Sequence, residues 1–579
     1  MSLDPIRLAL FQNRLDYISR HMGWVMIRTS RSPIFNQSHD FSCFVTDGAG
    51  QLVSQADGIP IHTGGGGFAV RALLDAFGGR IGTGDAFLLS DPYAAGGNHL
   101  PDWVVARPVF VAGELVAFTC NRAHQSDIGG GAAGTYNPQA SEIWHEGIRL
   151  PALRLVEGGE VRDDLWQLLL LNTRMPHYLD GDLRAMLGST QIGAELVADA
   201  VGAMDATQRH AYLSGILDHG ERLMRAAIAE LADGVYTGSS GYDNDCFEPA
   251  DVPIEVTVTV SGESARVDFT GTGGQVRGFK NSSLANTYSS VYSALSTFFD
   301  PSIPRNEGTF RSVTIVAPEG TVVNARPPAA VTMCTVFPAQ QIMHAVWEAL
   351  GKADPERACA GWGMNMFPNT SGPDRDGRTV VMYHWGGASA GGAVNGRDGF
   401  DQVGPMCTFG GLLLPNAEMS EQLFPVRVVR QELRCDGGGP GQYRGGTGVD
   451  YVVDVLSPAE YSFRAEGVHV SRAYGTNGGS AGVPGTFLVS PRGAEPFMPP
   501  DYGLRQLGPA RVAVSSSGGG GWGDPLERDP ARVLADLRDG VVSERAATEI
   551  YGLAITGGEV DTLATRERRA TLRAARAAG

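Results

Sequence analysis

The chain has 579 residues, of which 42% are hydrophobic and 19% charged, a balance typical of globular rather than disordered proteins. At roughly 100–200 residues per domain, this length predicts several cores. The formal net charge of −17 disfavours nucleic-acid binding, because phosphate recognition requires a basic face. Seven scattered cysteines without a CxxC pair indicate neither a disulfide framework nor a cysteine zinc site. We find no signal-peptide pattern and no run near the ~18 apolar residues of a membrane span, and we therefore expect a cytoplasmic protein.

The first part of the chain is predicted to open with a helix and continue in hairpins. Apolar residues recur at spacings of three or four over residues 4–22, which predicts an amphipathic helix. Residues 40–55 alternate around a glycine-containing turn and predict a hairpin, and residues 68–79 predict a short helix ended by glycine. Residues 103–124 predict two strands around a two-residue turn at Ala112-Gly113.

After residue 160 the predicted secondary structure changes twice, from helices to a mixture of strands and helices and then to a region rich in strands. Residues 160–232 are predicted to be mainly helical, residues 254–273 to form a hairpin, and the region after 425 to be rich in strands and turns. Helices are predicted over 285–299 and 339–352 and at the C-terminal end. Because helices and sheets alternate in blocks, we expect a mixed α/β (α+β), multi-domain fold with β-hairpins and a β-rich C-terminal region. The predicted domains are a metal-binding domain with a helical second half, an α/β middle domain, a β-rich domain and a C-terminal glycine-rich turn with helices: 1–234, 235–424, 425–515 and 516–579.

The segment GGNHLPDWVV, residues 96–105, contains the first candidate site. His99 and Asp102 are three residues apart, but Pro101 between them disfavours a helix and indicates a turn. With a regular two-residue turn at Ala112-Gly113, paired residue numbers sum to 225, so Pro101 lies opposite His124 and Asp102 opposite Ala123. His99, Asp102 and His124 can then converge at the open end of one hairpin, and two imidazoles with a carboxylate suit a divalent transition ion.

Three further polar residues could join this set. Asp40 begins another predicted strand, Asp127 repeats the HxxD spacing in HQSD, and His145 follows in SEIWHEG. The alternative for any single one is a polar side chain that caps a turn and satisfies buried backbone groups. For His99, Asp102 and His124 the register favours the metal site, because it brings them together independently of their identity.

Glycine runs at 62–67, 127–134 and 515–525 could cradle an anion, although tight turns and close packing explain them more simply. No run matches a nucleotide-binding motif, and we predict no cofactor-binding residues in this chain. There is no G-x-S-x-G elbow, and Cys120 lies in an apolar strand where an inert thiol is expected.

Over essentially its whole length the chain resembles the B subunit of the hydantoinase/oxoprolinase family. The resemblance rests on SHDFSCFVTD, GIPIHTGG, SDPYAAGGNHLPD and NRAHQSDIGG near the N-terminus, and on SGGGGWGDPLERDPARVLADLRDGVVS near the C-terminus. The family includes ATP-dependent N-methylhydantoinases, 5-oxoprolinases and lactamases, and is related to the equivalent subunits of acetone and acetophenone carboxylases.

The resemblance implies a metal-containing B subunit that acts on a substrate phosphorylated by a partner. That partner would be an A subunit with an actin-like ATP-binding fold that binds ATP and Mg, in an α2β2 hetero-oligomer. The metal ligands of the carboxylase relatives map onto His99, Asp102 and His124, and we expect Asp40 as the fourth ligand of a Zn, Mn or Fe ion. Asp127 or His145 would serve as general base or would orient a ligand.

The favoured function is hydrolysis of a cyclic amide such as a hydantoin, 5-oxoproline or a lactam. An ATP-dependent ketone carboxylase using bicarbonate is the alternative, because the motifs do not separate the two. A non-catalytic scaffold that only positions its partner is a third possibility, which the His/Asp cluster disfavours. We expect no nucleic-acid or membrane partner. The sequence names neither the substrate nor its pocket residues, although Arg122 and His62 lie near the proposed site by motif position.

Overall fold

The computed structural model describes residues 3–56, 58–364 and 367–578 of the chain. Contacts divide it into two compact units, one of residues 1–353 with 407–413 and one of residues 354–406 with 414–579. The main boundary of this division lies near residue 353, and the domain boundaries predicted at 234, 424 and 515 stay predictions. The mixed α/β architecture with several sheets agrees with the predicted fold class.

The first unit contains helices α1–α9 and strands β1–β11, and the second contains the remaining elements. The helices are α1 Pro5–Thr29, α2 Pro33–Asn36, α3 Pro60–Thr63, α4 Gly66–Phe77, α5 Asp163–Leu171, α6 Pro176–Gly202, α7 Ala206–Ile228, α8 Leu284–Phe298, α9 Ala339–Ala353, α10 Ala417–Leu423, α11 Pro530–Arg538, α12 Glu544–Glu549 and α13 Thr562–Ala578. The strands are β1 Phe41–Asp47, β2 Leu52–Gln55, β3 Ala86–Leu89, β4 Asp102–Val111, β5 Glu114–His124, β6 Leu153–Glu157, β7 Glu160–Val161, β8 Gly234–Asn244, β9 Pro249–Ser261, β10 Ser264–Asp268, β11 Val313–Val316, β12 Asn369–Pro373, β13 Thr379–Tyr383, β14 Val426–Leu433, β15 Val449–Val455, β16 Ala459–Arg464, β17 Thr486–Pro491, β18 Tyr502–Leu507, β19 Ala510–Ser515, β20 Ile555–Thr556 and β21 Glu559–Val560.

Local signals in the sequence fix several of these boundaries. Helix α1 begins with two start signals, the capping side chain of Asp4 and Pro5 in the first turn. Helix α7 begins with a capping box formed by Asp205 and Gln208. The predicted helices over 4–22, 68–79, 285–299 and 339–352 and the helical region 160–232 are confirmed, with α1 extending seven residues further than predicted. Among the residues that the structure describes, no helix combines the length and apolar character needed to cross a bilayer.

A seven-stranded sheet in the order β2-β1-β5-β4-β3-β6-β7 forms the centre of the first unit. Its long hairpin β4–β5 is buried on nearly every residue of both strands, which explains its continuous apolar runs. Helix α6 packs on both strands of this hairpin and α1 packs on α6, whereas β1 pairs with the outer side of β5. The ends of β1, β4 and β5 therefore meet in a buried environment.

The register of the β4–β5 hairpin corrects the sequence prediction by one residue. The turn at Ala112-Gly113 is as predicted, with Val111 opposite Glu114, but the register shifts between Val109 and Phe110. The shift leaves Val116 as an unpaired extra residue, a β-bulge, and Asp102 then lies opposite His124 instead of Ala123. Directly paired residues face the same side of a sheet, so the bulge is what places these two side chains together.

The first unit also contains a four-stranded sheet in the order β11-β10-β9-β8, whose β9–β10 hairpin confirms the one predicted over 254–273. The second unit contains two four-stranded sheets in the orders β13-β12-β16-β18 and β14-β15-β19-β17, which confirms the predicted β-rich region. Tyr451, Tyr461, Phe463 and Val512 are among the buried side chains that form its core.

The glycine run at 518–521 lies inside a bundle of glycine-rich segments in the second unit. Gly519 N–H donates to the carbonyl of Gly446 at 3.0 Å, and Gly520 N–H donates to that of Gly361 at 2.8 Å. A Cβ atom on Gly519 would lie 1.9 Å from the carbonyl oxygen of Gly391. The run therefore serves close backbone packing.

Candidate functional site

His99, Asp102 and His124 come together in the buried interior of the first unit. The imidazole Nε2 of His99 lies 2.7 Å from Asp102 Oδ1, and Nδ1 of His124 lies 3.1 Å from the same oxygen. One potential ligand atom from each residue lies within 4.8 Å of the others, and all three side chains are buried. The turn before β4 and the paired ends of β4 and β5 create this convergence.

The donor atoms of this cluster fit a metal ion. Nδ1 of His99 lies 2.5 Å from the carbonyl oxygen of Thr332, and donation of its N–H there leaves Nε2 with a free lone pair. In this tautomer Nε2 of His99 makes no hydrogen bond within the described residues, although Asp102 Oδ1 lies 2.7 Å from it, and Oδ2 of Asp102 is buried and accepts none there either. In the tautomer that a metal would require, His99 is a neutral imidazole with its other nitrogen anchored, and the adjacent carboxylate has an oxygen that accepts no hydrogen bond, which is the usual arrangement of ligands around a divalent transition ion.

Asp40 and His62 lie at the edge of the same cluster. Nε2 of His62 lies 3.4 Å from Asp102 Oδ2 and 3.6 Å from Asp40 Oδ1. The carbonyl of Asp40 accepts the backbone N–H of His124 at 3.1 Å, so the start of β1 is tied to the end of β5. The structure thus brings Asp40, the predicted fourth ligand, beside the triad, and adds His62, which the sequence analysis did not assign as a ligand.

Burial and mutual charge perturb the pKa values of four groups in the cluster, Asp40, His62, His99 and Asp102. Burial raises the pKa of Asp40 to about 8, and the neighbouring Asp102 carboxylate adds to the increase. Burial lowers the pKa of His62 to about 4. Burial also opposes the charged forms of Asp102 and His99, but their mutual attraction outweighs it, so that the pKa of Asp102 is held well below its usual range and that of His99 is raised. So many buried titratable groups in contact are typical of a functional site.

Asp127 and His145 lie in the segment after β5 and make contacts with that segment and with the connection between α5 and α6. The Asp127 carboxylate accepts the Arg174 backbone N–H at 2.7 Å and pairs with the Arg174 guanidinium at 3.0 Å. The side chain of His145 is exposed, and its Nδ1 accepts the N–H of Ser141 at 3.4 Å. The contacts of Asp127 are those of a residue that holds a loop in place, and the predicted catalytic roles of both residues stay predictions.

Glu146 is a buried carboxylate that the sequence analysis did not identify. Its Oε1 accepts the Thr332 N–H at 2.6 Å, and both carboxylate oxygens lie 3.0 Å from the N–H of Val331. Burial raises the pKa of Glu146 to about 7. The two backbone groups of Thr332 thus have separate partners: its carbonyl accepts from His99, and its N–H donates to Glu146, so Glu146 holds the residue that supports His99. Only its position next to the selected His145 could have pointed to it.

Arg122 is a fully buried guanidinium next to the cluster. Its Nη1 donates to the carbonyl of His62 at 2.7 Å and to Oδ1 of Asn98 at 2.9 Å. Burial lowers the pKa of Arg122 to about 10, so the side chain remains charged at neutral pH. Its motif position places Arg122 near the proposed site, but strand positions alone do not show that this cation is buried or which of its donors lack a hydrogen-bond partner.

The glycine runs and Cys120, the other candidates from the sequence, have contacts that serve packing. In the 62–67 glycine run, a Cβ on Gly66 would lie 2.9 Å from Phe44, and in the 127–134 run, a Cβ on Gly130 would lie 2.7 Å from the backbone of Glu146. Both runs therefore allow close packing, as the simpler interpretation expects. Cys120 is fully buried, and burial raises the pKa of its thiol, consistent with the inert role predicted for it.

The chain is similar in sequence and in fold to several known proteins. The caprolactamase subunit beta of Pseudomonas jessenii is 35% identical over 98% of this chain and 99% of that protein. The 5-oxoprolinase PfmaA of Pestalotiopsis fici is 29% identical over 90% of this chain, which spans 42% of that longer protein. The crystal structure of the ATP-dependent caprolactamase from Pseudomonas jessenii superimposes with a TM-score of 0.89 at 34% identity, covering 98% of this chain and 100% of that one.

A nucleotide-free acetone carboxylase structure shares the fold with a TM-score of 0.86, at 21% identity, covering 99% of this chain and 84% of that one. The sequence pattern of the family described as Hydantoinase B/oxoprolinase matches residues 4–525. The chain therefore belongs to the Hydantoinase B/oxoprolinase family.

Proposed function

We propose that this chain is the metal-containing B subunit of an ATP-dependent cyclic amide hydrolase that opens a lactam, hydantoin or 5-oxoproline ring. The observation that carries the proposal is the buried convergence of His99, Asp102 and His124 in a member of this family. The named relatives support the reaction class, since they are a caprolactamase and a 5-oxoprolinase.

An amide is a poor electrophile because resonance stabilises its carbonyl, and its amine leaves with difficulty. Phosphorylation of the lactam oxygen by a partner subunit removes that resonance and makes the ring carbon electrophilic. The B subunit then has to hold the activated ring beside a nucleophilic water and exclude bulk solvent. The cluster fits this task, because its imidazoles and carboxylates lie below the surface at the ends of three rigid strands.

His99, Asp102 and His124 would hold a Zn, Mn or Fe ion, with Asp40 as the fourth ligand. Such an ion supplies Lewis acidity and a water that ionises near neutral pH. In this chain, Thr332 orients His99 through Nδ1, and Thr135 Oγ1 lies 3.2 Å from Nε2 of His124. His62, whose Nε2 faces both Asp40 and Asp102, is placed to accept or return a proton within the cluster.

The proposal includes an A subunit with an actin-like fold that carries ATP and Mg, in an α2β2 assembly. The relative from Pseudomonas jessenii is named as a beta subunit, which implies a companion chain. This chain carries no sequence motif for nucleotide phosphates, in agreement with ATP on the partner. The likeness to acetone carboxylase concerns the fold, and a bicarbonate requirement tests the carboxylase alternative directly.

The test uses the full chain co-expressed with its A subunit. The purified complex is assayed for ATP-dependent ring opening of caprolactam, hydantoin and 5-oxoproline, with and without bicarbonate, and its metal content is measured. We expect the His99→Ala variant to lose the metal and turnover while keeping its thermal unfolding temperature. His210→Ala, which changes an exposed imidazole of the same unit, is the matched control and should behave as the unmodified complex.

Full activity of His99→Ala without bound metal would exclude the metal role. ATP turnover that depends on bicarbonate and a ketone would identify a carboxylase. Retention of activity by variants at all three ligands, with no metal in the unmodified protein, would support a scaffold function.

A further inference from the structure

Arg122 has one complete hydrogen-bonding edge without a partner. Its Nε and Nη2 atoms are buried, and neither makes a hydrogen bond to any residue that the structure describes, whereas Nη1 donates to His62 and Asn98. The N–H groups of Nε and Nη2 point the same way along one side of the planar guanidinium and form a two-pronged donor. An unpaired donor of this kind is costly in the interior of a protein, and a charged one is more so.

Other arginines in the same chain show what this edge binds. Nε and Nη2 of Arg511 donate to the two carboxylate oxygens of Asp454 at 2.7 and 3.0 Å. Arg528 is as buried as Arg122, and its Nε and Nη2 donate to Asp536 at 3.0 and 2.7 Å. Arg122 differs from Arg528 because no carboxylate of the described chain forms an ion pair with it.

The free edge belongs to a side chain on the face of β5 that carries the candidate metal site. Arg122 precedes His124 by two residues, and alternate residues of a strand face the same side. Its Nη1 holds the carbonyl of His62, whose imidazole faces Asp102. The side-chain Oγ of Ser289 is also buried without a hydrogen-bond partner in the described structure, and Ser289 lies against Gly64, the residue that follows α3.

We propose that the Nε/Nη2 edge of Arg122 binds a two-oxygen anion of the reacting substrate beside the metal site. The occupant is either the phosphoryl group of the activated cyclic amide or the carboxylate of the ring-opened product, since both present two oxygens to a guanidinium edge. This assignment rests on the proposed function for the identity of the anion, and on the unpaired edge for its existence. Arg122 makes no covalent bond in this role.

Two probes separate the two sources of the anion. Inorganic phosphate stands for the phosphoryl group and 6-aminohexanoate for a ring-opened lactam, and each is titrated calorimetrically into the complex of the full chain with its A subunit. Arg122→Lys keeps the charge but removes the two-pronged edge. We expect it to weaken binding of one probe by about 10- to 100-fold, with metal content and thermal unfolding temperature unchanged.

Arg107→Lys is the matched control. Arg107 is a buried arginine on β4 of the same hairpin. It is five residues from Asp102 along the strand, so its side chain faces the opposite side of the sheet. It should bind both probes as the unmodified complex does. If Arg122→Lys does not fold, crystals of the unmodified protein soaked in phosphate or in 6-aminohexanoate replace it, and density for one anion on the Nε/Nη2 edge supports the proposal.

Absence of binding of both probes to the unmodified complex, or equal affinity in Arg122→Lys, would overturn it, as would a protein group on that edge in the crystal. The proposed function is tested by different measurements, the metal content and the ring-opening activity of His99→Ala. Failure of one proposal can therefore be told apart from failure of the other.

Discussion

Glu146→Gln tests how a buried carboxylate supports His99 through the backbone of Thr332. At pH 8, above the pKa of about 7, Glu146 is charged and its oxygens lie 2.6 and 3.0 Å from the N–H groups of Thr332 and Val331. A glutamine can keep one oxygen in place, but its NH2 group then faces the Val331 N–H at the second 3.0 Å contact. An unsatisfied buried donor costs about 1–3 kcal/mol, and we expect part of this cost to displace Thr332, whose carbonyl orients His99.

The expected result is a metal affinity lowered by about 10- to 100-fold, the usual effect of removing a group that orients a metal ligand. The measurement is competition with a chromophoric chelator at pH 8, using the metal that purifies with the protein. Glu142→Gln, at an exposed carboxylate four residues earlier, is the control and should leave the affinity unchanged. A metal affinity of Glu146→Gln within twofold of that of the control would refute the reasoning, because Thr332 would then be held in place without Glu146.

Two further predictions concern the second unit. Gly520→Ala should lower the free energy of unfolding by about 3 kcal/mol or more, because the new Cβ would lie 1.9 Å from the carbonyl oxygen of Tyr474 and must displace backbone. Gly508→Ala, where no atom lies within 4 Å, should be neutral or slightly stabilising in the same urea titration, and equal losses in both variants would contradict this. His384 is buried, and burial lowers its pKa to about 3. Between pH 6.5 and 5 a proton therefore binds this imidazole in the unfolded chain but not in the folded one. This difference should lower the free energy of unfolding by about 2 kcal/mol over that range. His384→Gln should show a shallower loss of stability over that range, and an unchanged slope would mean that His384 is protonated in the folded state.

The predicted helices and hairpins were right where local chemistry decides the structure. Alternation, capping residues and the Ala112-Gly113 turn are properties of neighbouring residues, and they gave the β4–β5 hairpin and the helices α1, α8 and α9. The bulge at Val116 has no such local signal; it lies one residue before Ala117, the first residue of β5 that pairs with β1. The predicted pairing of Asp102 was therefore wrong by one residue.

The site was predictable only for its hairpin component. His99, Asp102 and His124 are close in the sequence or joined by one turn, and pattern alone could pair them. His62, Glu146 and Thr332 reach the cluster from segments with no pairing rule, and Thr332 is 233 residues from His99. A lack of partners, which makes Arg122 informative, is a property of three-dimensional packing and leaves no trace in a single sequence.

The bulge at Val116 sets a condition for anyone who moves this site to another scaffold. Copying residues 102–124 onto a regular two-residue hairpin would pair Asp102 with Ala123 and turn His124 to the opposite face of the sheet. Leaving out Val116 restores the pairing of Asp102 with His124 without any bulge. The transplanted ligand set thus depends on whether the number of residues between the turn and His124 is odd or even.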